Sequence, residues 1–364
     1  MAHHLTGSGL GTDDATLGAL RRAGRSAAAR EAIIEACLSI ERHGSLQGAV
    51  RDEVTGPIVD ALFEPGEVLT KSLLSGETFE FRYSSKIARE FVMSWPRTPD
   101  HVWEPQTTKT LVRLAARAKH ALVGGAYFGD HAILMGRAMT AHGGVVHAFE
   151  PNVEQGSSLR RNVELNGLRN VRHQPFGLWD VDDARLRLDG ADSHAHAVAA
   201  ADADASSFPT VSIDGYVARE GLPGVDLVML DIEGGELRAL RGAQRELARD
   251  AASAPFVVFE IHRAYVDWTG GLHRTEIARW LIELGYHVFA IRDFNSNQDM
   301  AGRRIELVPA DSAYLEGPPH GFNMLAVKDL ARLEALGDHA ICPNVSPKLL
   351  LHRDPALHHP LDGR

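Results

Sequence analysis

Residues 122–131 read LVGGAYFGDH and residues 147–167 read HAFEPNVEQGSSLRRNVELNG; their reading decides the fold. A short apolar run gives way to Gly124, Gly125 and Gly129, and Asp130 then opens a helix predicted over 130–141. Glycines between a strand and a helix let the backbone turn tightly and let a ligand approach where a Cβ would stand. The next predicted strand, 145–150, ends in Glu150, an acid placed to accept hydrogen bonds from two ribose hydroxyls. A second helix is predicted over 153–166. A dinucleotide site would carry GxGxxG and backbone amides for a pyrophosphate. Here the glycines are spaced GxxxG, and a negative side chain at the helix start repels phosphate but suits a cofactor bearing an amino group and a sulfonium. S-adenosylmethionine is therefore expected ahead of NAD, and a dehydrogenase is the weaker alternative.

Working outward, the same alternation continues. Strands are predicted over 121–124, 171–176, 225–231, 256–262, 286–291 and 323–328, and helices over 107–118, 235–247 and 275–284. Strands that alternate with amphipathic helices build a mostly parallel sheet covered on both faces, with ligands beyond the carboxyl ends of its strands. The stretch 190–208, rich in Ala, Asp, Ser and His, reads as a surface loop. Upstream, apolar residues at helical spacing across 15–50 predict a helical front piece; the alternation of Phe79, Phe81 and Tyr83 predicts a strand, and 87–95 a further helix. The organisation expected is a mainly helical segment over 1–102, serving as lid, substrate wall or dimer interface, then a catalytic domain over 103–330 and a tail over 331–364.

Three later runs add specificity: VDLVMLDIEGGELRALRGA at 225–243, FVVFEIH at 256–262, and the Asn162-x-x-x-Asn166-Gly167 spacing. With the EPN of residues 150–152 they resemble, in order, the motifs of the FkbM family of methyltransferases. The resemblance covers 103–328. It implies an α/β class I methyltransferase fold, Rossmann-like, with a seven-stranded mostly parallel sheet and helices on both faces. It also implies transfer of a methyl group from S-adenosylmethionine to an oxygen, leaving S-adenosylhomocysteine, often on a sugar or polyketide-type hydroxyl of specialised metabolism.

Carried onto this sequence, the resemblance gives Gly125 and Gly129 as the first-motif glycines, with Tyr127 between them and Asp130 and His131 following. Glu150 becomes the ribose acid with Asn152 beside it, Asp180 falls where such enzymes contact adenine with Trp179 or Leu178 over the ring, and Asp231 closes the fourth strand. Two positions depart from the family pattern. An acid is usual where this chain has Val123, and a lysine where it has Met229. Asn166-Gly167 reads most simply as a helix stop with Gly167 left-handed.

Methyl transfer asks for in-line alignment and removal of the acceptor's proton. The expected catalytic residues are His262, Asp231 and Glu260, with Glu233 a further candidate base. Imidazole titrates near neutrality, and Glu260 and His262, two apart on a strand, share a face. A divalent metal on Asp231, Glu260 and His262 is an alternative that no tight ligand spacing demands, so no metal is expected. A polar run at 292–297 offers a grip on a hydroxylated substrate, and Tyr83, Trp95 and Trp103 are candidate substrate contacts. A non-catalytic nucleoside-binding relative is the rival from another class.

The net charge of −10 offers no basic stripe for a nucleic acid. A small hydroxylated molecule is the expected partner, and a homodimer built on the front helices is left open. Two cysteines, Cys37 and Cys342, are too few for a disulfide framework or a zinc set. No apolar run approaches the roughly 20 residues of a membrane span, and no leader-like apolar stretch follows the N-terminus, so a cytoplasmic protein without membrane contact is expected.

Overall fold

The computed structural model describes residues 14–42, 50–189, 196–199, 207–294, 297, 299–315 and 321–349. The front piece runs α1 (Asp14–Gly24), α2 (Ala27–Arg42), a π-helical turn at Arg51–Thr55, α3 (Gly56–Asp60), the antiparallel hairpin β1 (Glu67–Ser72) and β2 (Thr78–Tyr83), and α4 (Lys86–Val92). Helix α2 buries Ile34, Cys37, Leu38 and Glu41, one stripe at helical spacing. Glu41 is stabilised inside by Arg51, which also pairs with Glu90. Strand β2 turns Phe79, Phe81 and Tyr83 inward as its alternation requires. Phe81 packs on Phe128 of the glycine-rich loop, with ring centroids 6.1 Å apart.

The hairpin is held to the rest of the chain by an amide ladder. After α5 (Pro105–Ala115), β3 (His120–Gly124), α6 (Asp130–Met139) and β4 (Val145–Phe149) comes α7 (Val153–Leu165), which carries Asn162 one turn before Asn166. The Asn166 side chain accepts from the Thr78 N–H and donates to the Thr78 carbonyl, both at 2.8 Å. Asn162 does the same to Glu80, at 2.8 and 2.9 Å, and donates to the Phe128 carbonyl at 2.8 Å. Four residues of helix rise about 6 Å and two residues of strand about 6.6 Å, so the side-chain amides of one turn mimic a neighbouring strand. Gly167 is left-handed at φ 62°, as the helix stop predicts.

The chain continues through β5 (Val171–Gln174), β6 (Gly177–Leu178), β7 (Arg185–Asp189), β8 (His196–Ala199), β9 (Ser207–Val211), α8 (Ile213–Arg219), β10 (Leu227–Leu230), α9 (Glu236–Arg241), α10 (Gln244–Leu247), β11 (Phe256–His262), α11 (Glu276–Glu283), β12 (His287–Ile291), β13 (Asp293–Phe294), β14 (Ile305–Pro309), β15 (Gly321–Val327), α12 (Leu330–Glu334), β16 (His339–Ile341) and β17 (Lys348–Leu349). The main sheet has the order β16-β14-β12-β15-β11-β10-β3-β4-β5. Strands β11, β10, β3, β4 and β5 are parallel, and β15 runs antiparallel between β11 and β12. This is the expected doubly wound α/β class, with the predicted seven strands present and two more, β14 and β16, widening the sheet. The chain leaves β3 toward β5 and returns to β10 on its other side, which opens a crevice at the carboxyl ends of β3, β4 and β10.

Alternate residues feed two cores. Val123, Met229 and Val258 face the side covered by the front piece, α5 and α6, whereas Leu122, Val228 and Val257 face the side of α8 to α11. Two expectations are corrected. The predicted loop at 190–208 contains β8 and the start of β9, which join β6 and β7 in a four-stranded sheet over the crevice; residues 190–195 and 200–206 lie outside the described residues. The predicted helix 235–247 is broken into α9 and α10 at Gly242 and Ala243. Among the described residues no helix is long and apolar enough to cross a membrane.

Candidate active site

Within the crevice a cleft opens, lined by residues that include Gly125, Tyr127, Glu150, Trp179 and Asp231. Its floor is the loop after β3. Gly125 takes φ 75°, and a Cβ there would lie 1.8 Å from the Asp231 carbonyl oxygen, so the two strand ends close up only over glycine. The N–H groups of Gly125 and Ala126 both donate to the Phe149 carbonyl, at 3.1 and 3.0 Å. Tyr127, left-handed at φ 46°, then aims its own N–H at Glu150 Oε2 from 2.9 Å. The Asn152 N–H reaches Oε1 at 2.9 Å. Asn152 also caps α7, its side chain accepting from Glu154 and Gln155.

Glu150 is 7 % exposed, and burial pushes its carboxyl up to about 7 against the pull of those two N–H groups. Each of its oxygens takes one backbone donor and keeps a lone pair, enough for two hydroxyls side by side. The walls at this end are Phe149, Phe176, Leu178, Trp179, Leu186 and Phe208.

The other end is crowded with acids. Asp231, after β10, lines the cavity together with Asp130, His131 and Glu233. The His131 imidazole stands 3.7 Å from Glu104 and 4.0 Å from Asp130, and its Nδ1 meets the Thr108 hydroxyl at 3.1 Å. Burial works to lower this imidazole, but Asp130, Glu104 and Asp231 outweigh it and raise it to about 9, so His131 carries a charge. Burial, the neighbouring Glu104 charge and Glu233 hold Asp231 well above the carboxylate range, and burial, Asp231 and Glu104 do so for Glu260. Glu104, Tyr127 and Glu233 are left-handed, at φ 48°, 46° and 52°. Three non-glycine residues in this conformation at one site mark stored strain of the kind that functional sites retain.

The sequence-predicted residues divide. Gly125, Tyr127, Asp130, His131, Glu150, Asn152, Trp179 and Asp231 all border the cavity. Asp180 points away from it into an ion pair with Arg238 at 2.7 Å. Glu260 stands beside Asp231, and Glu260 and His262 share a face, both abutting Gly321 across the sheet. The His262 Nδ1 accepts the Ala264 N–H at 3.1 Å. Trp103 borders the cavity, whereas Tyr83 is core, stacked on Phe63 and bonded to Asp60, and Trp95 is covered by Arg42. The polar run after β12 is structural where it is described. Arg292 binds Glu306 and the Ser346 carbonyl, Asp293 caps α5 through Gln106 and Thr107, and Asn297 binds the Val102 carbonyl; Asn295 and Ser296 lie outside the described residues. Sequence reading missed Glu104. A glutamate before Pro105 at a helix start looks like an ordinary solvated cap, and only the fold brings it against His131.

Residues 124–288 match the family described as the Methyltransferase FkbM domain. No curated protein matches the chain. Solved structures with a similar outline include a methyltransferase FkbM from Methylobacillus flagellatus KT, at 12 % identity and TM-score 0.34 over 57 % of this chain and 43 % of that one, so the likeness spans less than half the length of that protein. Others are the O-methyltransferase TomG from Streptomyces achromogenes, involved in tomaymycin synthesis, at 14 % identity and TM-score 0.37 over 68 % and 91 %, and a SAM-dependent methyltransferase from Agrobacterium tumefaciens, at 13 % identity and TM-score 0.40 over 73 % and 72 %.

Proposed function

We propose that this chain, whose residues 124–288 form an FkbM methyltransferase domain, holds S-adenosylmethionine along the crevice and methylates a hydroxyl, on a sugar or a polyketide-type metabolite. The observation that carries the reading is Glu150, a buried carboxylate at the end of β4 that takes two backbone donors, keeps two spare lone pairs and lines the cleft. The cofactor, when bound, supplies an activated methyl on a sulfonium with a good leaving group. Glu150 would hold the ribose hydroxyls. Trp179 and Leu178 offer an apolar face to the base, and Gly125 leaves the backbone bare beneath the chain that joins ribose to sulfur. Asp130 and His131, an acid and a charged imidazole in the first turn of α6, suit an amino acid end that bears both signs.

The acceptor is proposed to enter against Asp231. Of the three residues expected to serve its proton, Asp231 lines the cavity and Glu260 stands beside it, which favours this pair over His262, whose Nδ1 already holds its own turn. Ile87, from the front piece, and Trp103, just before α5, give the acceptor side an apolar wall. Calorimetry tests the reading. S-adenosylhomocysteine should bind the native protein, and Glu150→Gln should weaken it about 10- to 100-fold, the worth of a hydrogen bond to a charged group. A folded native protein that binds neither S-adenosylmethionine nor S-adenosylhomocysteine overturns it.

A further inference from the structure

Three carboxylates converge where the cavity meets β11. Asp231, Glu233 and Glu260 can each bring one oxygen within 4.8 Å of the other two. Acids so close repel one another, and the cluster alone says little about a ligand. One buried atom beside it says more. Asn323 on β15 is the cross-strand partner of Glu260 on β11, so the two side chains stand on the same face of the sheet. Asn323 is 2 % exposed, yet its Oδ1 has no hydrogen-bond partner. Asn323 also lies near Glu104, which is 8 % exposed and whose Oε2 pairs with His131 Nε2 at 3.7 Å. Glu104 is near enough for its charge to act on both Asp231 and Glu260. Space is kept open as well, because a Cβ on Gly321 would lie 2.3 Å from Glu260 Oε1.

Buried carbonyl and carboxylate oxygens are rarely left unmatched. Here the Asn323 oxygen is one such, and it stands beside three crowded acids. We propose that Asp231, Glu233 and Glu260, with Asn323 Oδ1, bind a divalent cation, and that this cation takes a hydroxyl of the methyl acceptor as a further ligand. Donors that are all oxygen select a hard ion such as Mg²⁺, Mn²⁺ or Ca²⁺ over zinc or copper. The set differs from the sequence expectation by exchanging His262 for Glu233, since the His262 Nδ1 is committed to the Ala264 N–H. A hydroxyl on such an ion loses its proton to water more readily than a free one. The acceptor class follows from the geometry of chelation: a hydroxyl with a second oxygen on the adjacent carbon, as in a vicinal diol or an α-hydroxy carbonyl. The role of the cation toward the acceptor rests on the function proposed above, whereas its site rests on protein atoms alone.

The full-length protein, stripped with EDTA, is titrated with Mn²⁺ alone, and free Mn²⁺ is followed by electron paramagnetic resonance. A saturable site is expected, weakened about 10- to 100-fold or more by Glu260→Gln and by Asn323→Ala. Glu233→Gln provides a third variant should either of these fail to fold by circular dichroism. Each sample then receives S-adenosylhomocysteine in EDTA. Absence of a saturable Mn²⁺ site in the native protein, or an affinity unchanged by the substitutions, overturns the cation. Retained S-adenosylhomocysteine binding in EDTA assigns that failure to the cation and leaves the cofactor reading standing, whereas loss of that binding as well removes the cofactor reading.

Discussion

The two ends of the crevice solve opposite electrostatic problems. At the nucleoside end one carboxylate, Glu150, sits among Phe149, Leu178 and Phe208 and is held by backbone N–H groups. At the reacting end Asp231, Glu233 and Glu260 crowd together beside Glu104, with His131 as the charged imidazole among them. The first arrangement recognises a fixed shape, since its donors are main chain and cannot move without unfolding the loop. The second disfavours ionisation of its crowded carboxyls, which a positively charged ligand would reverse. Under the proposed function, discrimination and reactivity fall to different strands, β4 for one, β10 and β11 for the other.

The strand beneath Asp231, β10, carries no charged side chain of its own. Val123 and Met229, the two departures from the family pattern, are cross-strand neighbours on β3 and β10, and both are buried in the same core. Where the pattern sets an acid beside a lysine, this chain sets two apolar side chains, and such an exchange of a buried pair is often neutral or stabilising when both partners change together. The largest effect expected in this protein follows from breaking that symmetry. Val123→Glu or Met229→Lys alone should cost about 3–5 kcal/mol of stability, since either leaves an unpaired charge in the core. Chemical denaturation of the double variant should return about 1–3 kcal/mol of the summed loss. Strictly additive losses would mean that the two positions are not coupled.

This pairing also shows what the sequence can and cannot display. The strands β3, β4, β10 and β11 and their glycine turn are legible because each is a short, predominantly apolar run between helical stretches, the mark of a strand buried on both faces. The position of Glu150 at the end of β4, bordering the cleft, is legible for the same reason. The strand β1 is not, since Glu67 to Ser72 alternate between half-buried and exposed and carry no strong apolar face. The strand β7 reads RLRLD and its partners are short, so the region passes for loop until the antiparallel pairing with β8 and β9 is seen. Glu104, Asn323 and the Asn162–Asn166 ladder depend on partners 27 to 219 positions away or on a register between strands, which no local pattern encodes. That Val123 and Met229 are neighbours is likewise invisible until β3 and β10 are placed side by side.

A smaller effect sharpens the nucleoside end. Glu150 lies at about 7 in the folded protein against an ordinary 4.5. Its contribution to folding stability is therefore fully present below pH 4.5 and is lost as pH rises through 7. Cofactor affinity should run the other way. Ribose hydroxyls donate to the ionised carboxylate, so S-adenosylhomocysteine binding should weaken about tenfold per pH unit below about 7, close to 1.4 kcal/mol per unit, and level off above it. Calorimetry across that range checks this, and a flat profile would remove the ionised Glu150 from cofactor binding.

The smallest effect separates Asp180 from Trp179. Sequence reading puts both near adenine, but the Asp180 carboxylate is drawn to Arg238 Nη1 at 2.7 Å, while Trp179 keeps a place on the cavity wall. An ion pair with one partner more than half exposed contributes about 0–1 kcal/mol. Asp180→Asn should therefore change stability by less than about 1 kcal/mol and S-adenosylhomocysteine affinity by less than about fivefold. Trp179→Ala should weaken affinity more, because it removes an aromatic face that bases stack on with a worth of about 1–3 kcal/mol. A loss at Asp180→Asn as large as that at Trp179→Ala would mean that the carboxylate leaves Arg238 for the adenine when the cofactor enters, and that the nucleoside end is less rigid than its main-chain donors imply.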